Sequence, residues 1–271
     1  IMSFDLNSLY PHLIMQYNMS PDTYQKKIFN QEINVKKLLE GEVDLSMLTE
    51  TTVTPNGALF RTDKQGFLPE LLEEMYDQRV LFKRKMIDKQ IELETIDKND
   101  LTKRKRCEYD IVKYNNNQMV RKIALNSCYG ALGNQYFRYF NREIAEGITT
   151  SGQLSIKWVE RAVNKFLNKL LETDKDYVVA IDTDSIYVTF EDLVDRVNPK
   201  NPVEFLDTIA KEKIEPMINS NYEELASYTN AYQNKMEMGR EVIADKGIWT
   251  AKKRYILNVH DSEGVRFKTP K

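Results

Sequence analysis

Two aspartates, Asp182 and Asp184, flank Thr183 between strand-like runs at 177–181 and 185–190. Side chains two apart on an extended chain point the same way, so a tight hairpin would present both carboxylates together. Two anions at an apolar tip repel each other unless a cation lies between them. Aspartate also favours turns for ordinary reasons, so the pattern alone leaves structural turn and metal site even. Asp5 shifts that balance. It sits late in an apolar strand between Phe4 and Leu6, where an isolated buried carboxylate is costly. If that strand lies beside the hairpin, Asp5 and Asp184 converge. Magnesium takes a few carboxylates plus phosphate oxygens, and paired ions can bridge nucleophile and leaving group. Phosphoryl transfer is the chemistry this arrangement suggests.

The bases lie on helices. Arg79 and Lys83 are four apart and share a helix face. Lys122, Asn126 and Tyr129 share another, with Gly130 leaving space beside them. A cationic stripe facing the carboxylates would hold a triphosphate between them; taken singly, Arg79 and Lys83 read as a solvated face and Tyr129 as packing. The net charge is only −2, yet residues 79–122 carry 13 Lys/Arg against 7 Asp/Glu, and residues 246–271 carry 7 against 2. Two basic segments in an acidic whole point to polyanion contacts at chosen places.

Other chemistries find little support. Two cysteines, Cys107 and Cys128, exclude a disulfide scaffold and a cysteine-rich zinc site, and two histidines leave little for a histidine-based metal cluster. None of the ten glycines forms a Rossmann, P-loop or hydrolase-elbow pattern. No apolar run approaches the roughly 18 residues of a membrane span.

The elements that must position these groups read as α+β. A buried strand at 1–6 leads into a helical turn through Pro11 to Tyr17, and 22–66 reads as connecting structure with short strands. Helices are predicted from about Pro69 to Thr95 and from about Asp100 to Tyr129, forming an antiparallel hairpin, and a third from Arg142 to Leu171. After the strand pair come helices at 204–219 and 222–232, then strands at 235–243 and 248–259 and a strand-like run at 264–268. The chain opens and closes inside strand-like runs, as expected of a segment of a longer chain.

Ser3-Phe4-Asp5-Leu6-Asn7-Ser8-Leu9-Tyr10-Pro11 resembles motif A of family B (polymerase-alpha-like) DNA polymerases. Lys122-Ile123-Ala124-Leu125-Asn126-Ser127-Cys128-Tyr129-Gly130 resembles motif B, and Asp182-Thr183-Asp184-Ser185 motif C. Lys252-Lys253-Arg254-Tyr255 is similar to the later KKRY motif. The order and approximate spacing agree as well. Ser20-Pro21-Asp22-Thr23, Pro55-Asn56-Gly57 and Gly130-Ala131-Leu132-Gly133-Asn134 look most like T-even-type bacteriophage replicative polymerases.

The resemblance implies a polymerase palm with an antiparallel sheet, at 1–66 and 134–271, and an inserted two-helix fingers element at 67–133. It implies template-directed DNA synthesis, with Asp5 and Asp184 binding two magnesium ions, the Leu6 carbonyl as a backbone ligand, and Asp182 adjusting the site. Ser8, Leu9 and Tyr10 would meet the triphosphate through backbone amides, with the Tyr10 ring under the sugar to reject a 2′-hydroxyl. Arg79, Lys83 and Lys122 would grip the phosphates, and Asn126 and Tyr129 line the nascent base pair. Lys252, Lys253, Arg254 and Tyr255 would hold the primer end, and Glu241 matches a further acidic palm position.

The implied partners are primer-template DNA, a deoxynucleoside triphosphate, exonuclease and thumb regions on the same or another chain, and a sliding clamp. No membrane is involved, and the place of work is the cytoplasm, that of the host if phage-encoded. One position departs from the pattern: Ile181 stands where the family usually has glycine before motif C, which removes backbone freedom beside the primer terminus. That departure keeps open a non-catalytic nucleic-acid-binding remnant. The absence of exonuclease and thumb keeps open one subunit of a split polymerase.

Overall fold

A computed structural model describes residues 1–28, 33–267 and 269–271. The apolar opening forms β1 (Met2–Leu6), and the chain turns at Ser8 into α1 (Leu9–Gln16). The connecting segment holds β2 (Tyr24–Lys27), α2 (Val35–Glu40), β3 (Thr51–Val53) and β4 (Ala58–Arg61). These strands make a small sheet in the order β2-β4-β3.

The long hairpin is α3 (Phe67–Thr95) and α4 (Leu101–Leu132). Pro69 lies in the first turn of α3, where its missing N–H costs nothing. Asp100 caps α4 by accepting the Lys103 amide, and Gly133 follows its end. Then α5 (Arg142–Leu171) begins at Asn141, whose side chain accepts two amides, and buries Ile144, Ile148, Val159, Val163 and Leu167 on one face. Next come β5 (Val178–Asp182), β6 (Ser185–Val188) and α6 (Glu191–Val197). They are followed by α7 (Pro202–Ile209), a π-helical turn (Ala210–Ile214) and α8 (Glu215–Tyr228). The chain finishes with β7 (Met238–Ala251), β8 (Arg254–Ser262) and β9 (Val265–Arg266).

The main sheet runs β5-β6-β1-β7-β8-β9, every neighbour antiparallel. It confirms the α+β reading. Paired residues share a face, so register sorts the side chains. Met2, Phe4, Ile186 and Val188 form the core face, which belongs to one cluster with α1, α5 and α8. Ser3, Asp5, Ser185 and Tyr187 lie on the other face. A bulge between Ser3 and Phe4 puts Glu241 out of register on β7, and Ser3 Oγ donates to its carboxylate at 3.4 Å.

Several expectations need correction. The helices at 204–219 and 222–232 are one nearly continuous run from Pro202 to Tyr228. Nothing at 220–221 breaks it, and the π turn falls where Pro216 cannot donate to Glu212. The strands at 235–243 and 248–259 are parts of one long hairpin: residues 244–247 are absorbed as bulges, and the reversal falls on Lys252-Lys253, with Lys253 at φ 63. Short helices α2 and α6 have too few residues to show a period. The strand at 264–268 shrinks to Val265–Arg266, and Lys268 lies outside the described residues.

Candidate active site

β1 and β6 pair so that Asp5 stands opposite Ser185, whose hydroxyl donates to Asp5 Oδ1 at 2.8 Å. The Leu6 amide donates to the Asp184 carbonyl at 3.0 Å, locking the turn after β5 against the end of β1. Asp5 and Asp184 therefore line one cavity of about 480 Å³. Leu6, Ser8, Leu9 and Tyr10 form its floor, and Arg79, Lys83, Lys122 and Asn126 reach it from the helical hairpin. Carboxylates thus face cations across a gap.

Burial lifts the Asp5 carboxyl above its ordinary range, against the Ser185 hydrogen bond and with a push from Glu263. Burial likewise lifts Asp184, and the charge of Asp5 lifts it further. Glu241 is raised by burial and then by Asp5. The charge of Lys253 offsets the lift of Asp184 only in part, and gathered carboxylates of this kind are an arrangement a divalent ion relieves. Among the described residues no three His, Cys, Asp or Glu side chains close into a metal-holding group. The two aspartates still suit magnesium, which binds through one or two carboxylates and fills its shell with water and substrate phosphates.

The cationic side is partly anchored. Arg79 Nη1 donates to Ser8 Oγ at 3.0 Å, and its Nε is buried with no hydrogen-bond partner among the described residues. Lys122 and Asn126 are exposed on α4. Tyr129, one turn on, is not among the cavity-lining residues; its ring lies 4.7 Å from that of Tyr10, tilted by 47°. Tyr10 also neighbours Gly152 of α5, where an added Cβ would stand 3.7 Å from its ring. Cys128 is partly buried, and desolvation pushes its thiol up to about 11, which keeps it from acting as a thiolate.

Asp182 departs from expectation. Thr183 takes a left-handed conformation, φ 57, so the strand alternation that would align the two aspartates is broken. Asp182 stays on the strand, opposite Ser185, and pairs with Lys253 at 3.3 Å; it is not among the cavity-lining residues, though its charge still raises Asp184. That ion pair joins the motif C turn to the hairpin of Lys252, Lys253, Arg254 and Tyr255, none of which lines the cavity. Tyr255 stacks with Trp249, 28° between planes, and its hydroxyl accepts from Tyr187 at 2.7 Å. Ile181 pairs with Ile186 and so lies on the sheet face opposite Asp5 and Ser185, but on the edge strand β5 it stays 38% exposed.

Sequence reasoning missed Glu263, which lines the cavity. It sits at φ 50 in the turn after β8, its amide bonded to the Glu241 carbonyl at 2.7 Å. The neighbouring glycine marks a turn, but nothing local shows that it folds back onto Asp5. Its setting is firm: Asp261 is fully buried, accepts from Arg240 Nη1 at 2.6 Å and from the Gly264 amide at 3.0 Å, and pairs with Arg266 at 2.6 Å.

No described helix is long and apolar enough to cross a membrane. The chain is 35% identical to the DNA-directed DNA polymerase of Enterobacteria phage T4 over 320 residues, covering 100% of this chain and 35% of the relative. The corresponding enzyme of Escherichia phage RB69 is also 35% identical, with the same coverage, over 323 residues. DNA polymerase 1 of Pyrococcus abyssi is 28% identical over 224 residues, 82% of this chain and 23% of the relative. The chain thus spans about a third of the length of its phage relatives. The profile of DNA polymerase family B matches residues 1–268, from the strand bearing Asp5 to beyond the turn bearing Glu263, and by that match the chain belongs to DNA polymerase family B.

Proposed function

We propose that this chain is the nucleotidyl-transfer part of a DNA polymerase, in which a primer 3′-hydroxyl attacks the α-phosphate of a deoxynucleoside triphosphate and releases pyrophosphate. One observation carries this reading: Asp5 and Asp184 meet in one cavity opposite Arg79, Lys83 and Lys122. Asp5, Asp184 and the Leu6 carbonyl would hold two magnesium ions, which when bound supply charge neutralisation at the attacking and leaving oxygens.

The remaining work belongs to the chain. The amides of Ser8, Leu9 and Tyr10 at the start of α1 receive phosphate oxygens, and the hairpin cations neutralise the far phosphates. Asn126 and Tyr129 border the base pair, and Tyr10 lies under the sugar. Lys252, Arg254 and Tyr255 hold the primer backbone without reading sequence. Lys253 does the same and holds Asp182, which adjusts the site's charge. Residues 1–66 and 134–271 act as palm and 67–133 as fingers. Exonuclease, thumb and clamp contacts fall to the rest of the polymerase, working in the cytoplasm of a host cell.

The test is magnesium-dependent primer extension by the polymerase that contains this chain. Asp5→Asn and Asp184→Asn should each lower extension at least about a hundredfold while primer-template binding persists, because DNA affinity comes from distributed phosphate contacts. Near-normal turnover of either variant at saturating nucleotide would rule out the metal assignment. DNA binding without extension by the wild type would favour a non-catalytic role, and extension restored only by added chains a split polymerase.

A further inference from the structure

We propose that His12 is a positioning residue for the nucleotide phosphates: its imidazole fixes the peptide that aims the Leu9 amide into the cavity. The inference rests on reading that cavity as the triphosphate site.

Ser8 is left-handed, φ 50 and ψ 55, a conformation a non-glycine residue keeps only when its surroundings hold it. Its carbonyl has two donors, the backbone amide of His12 at 3.2 Å and the ring nitrogen Nδ1 of His12 at 3.0 Å. A carbonyl can only accept, so Nδ1 carries the proton. In a planar trans peptide the C=O and the following N–H point in opposite directions. Pinning the Ser8 carbonyl along α1 therefore turns the Leu9 N–H outward from the helix start, where unpaired amides receive anions.

The ring is itself held. His12 is 7% exposed and meets Tyr76 of α3 edge-on, with centroids 4.6 Å apart at 85°. Tyr76 lies three residues before Arg79, whose guanidinium donates to the Ser8 hydroxyl. The helical hairpin thus reaches Ser8 twice: through Arg79 to the hydroxyl, and through Tyr76 and His12 to the carbonyl. The Ser8 carbonyl has two lone pairs, so it takes the backbone amide and the ring donor of His12 together and is held from two directions.

The test measures dATP binding to the 271-residue chain with magnesium and no primer, in the wild type, His12→Ala, His12→Ser and Arg79→Ala. Both His12 variants lose the ring, but a serine hydroxyl can bond the carbonyl four residues back. His12→Ala should weaken binding about three- to tenfold, the usual worth of one hydrogen bond, and His12→Ser should recover most of it. Equal losses in the two would show that the ring merely packs, and no loss in either would overturn the proposal while leaving the triphosphate site standing if Arg79→Ala still weakens binding. Wild-type binding that ignores Arg79→Ala would remove the site and this inference with it. Nitrogen-15 shifts of the His12 ring should show the Nδ1-protonated tautomer, and an Nε2-protonated ring would refute the mechanism directly.

Discussion

Asp184→Asn should stabilise the metal-free protein and abolish most of its thermal response to magnesium. Burial, and then Asp5, raise the Asp184 carboxyl above its ordinary range, so the folded chain holds that proton more tightly than the unfolded chain does. The sign follows from linkage: stability is greatest below the unfolded value near 4 and declines as pH rises through the raised folded value. At pH 7 the full cost is present. Asp184 is only half-buried, and a solvent-screened charge pair of this kind is worth at most about 1 kcal/mol, which sets the expected gain from removing its charge. For a chain of this size that is a rise of about 2–4 °C in Tm. Magnesium at ten times its Kd would stabilise the wild type by about 1.4 kcal/mol through the same carboxylates. Thermal unfolding at pH 7, in chelator and in excess magnesium, compares the two proteins. A lower Tm for Asp184→Asn in chelator, or equal magnesium shifts for both, would refute the reasoning. The advantage of the variant should also vanish as pH falls toward 4.

Arg79→Ala and Lys122→Ala should each weaken nucleotide use about tenfold to a hundredfold, since a charge-assisted contact is worth about 1.5–3 kcal/mol; single-turnover incorporation against nucleotide concentration measures it. Tyr10→Ala should lose discrimination against ribonucleotides more than deoxynucleotide incorporation, while Tyr10→Phe keeps the ring and most of the selectivity. A folded, active Tyr10→Ala enzyme with unchanged sugar preference would contradict that role. Arg240→Met strips Asp261 of the more deeply buried of its two arginine partners and should cost about 3–5 kcal/mol in urea unfolding. A loss under about 1 kcal/mol would mean that Arg266 alone suffices for Asp261.

Local chemistry was enough to place the strand carrying Asp5, the hairpin around Thr183, the two long helices, with Pro69 in the first turn of one and Asp100 capping the other, and the four polymerase motifs. Each is legible because its signal lies within one element: a strand run, a helix face, a cap, a short pattern. Convergence of Asp5 and Asp184 was a conditional, and only the β1–β6 register satisfied it. The left-handed turn at Thr183 separated Asp182 from Asp184, the bulge on β7 brought Glu241 to Ser3, and the turn after β8 returned Glu263 to the cavity. The same holds for Ile181, whose direction follows from its pairing with Ile186 and not from its place before motif C. Residue type and spacing specify what a segment can contribute. Register, bulges and left-handed turns decide which side chains meet, because each depends on partners far away in the chain.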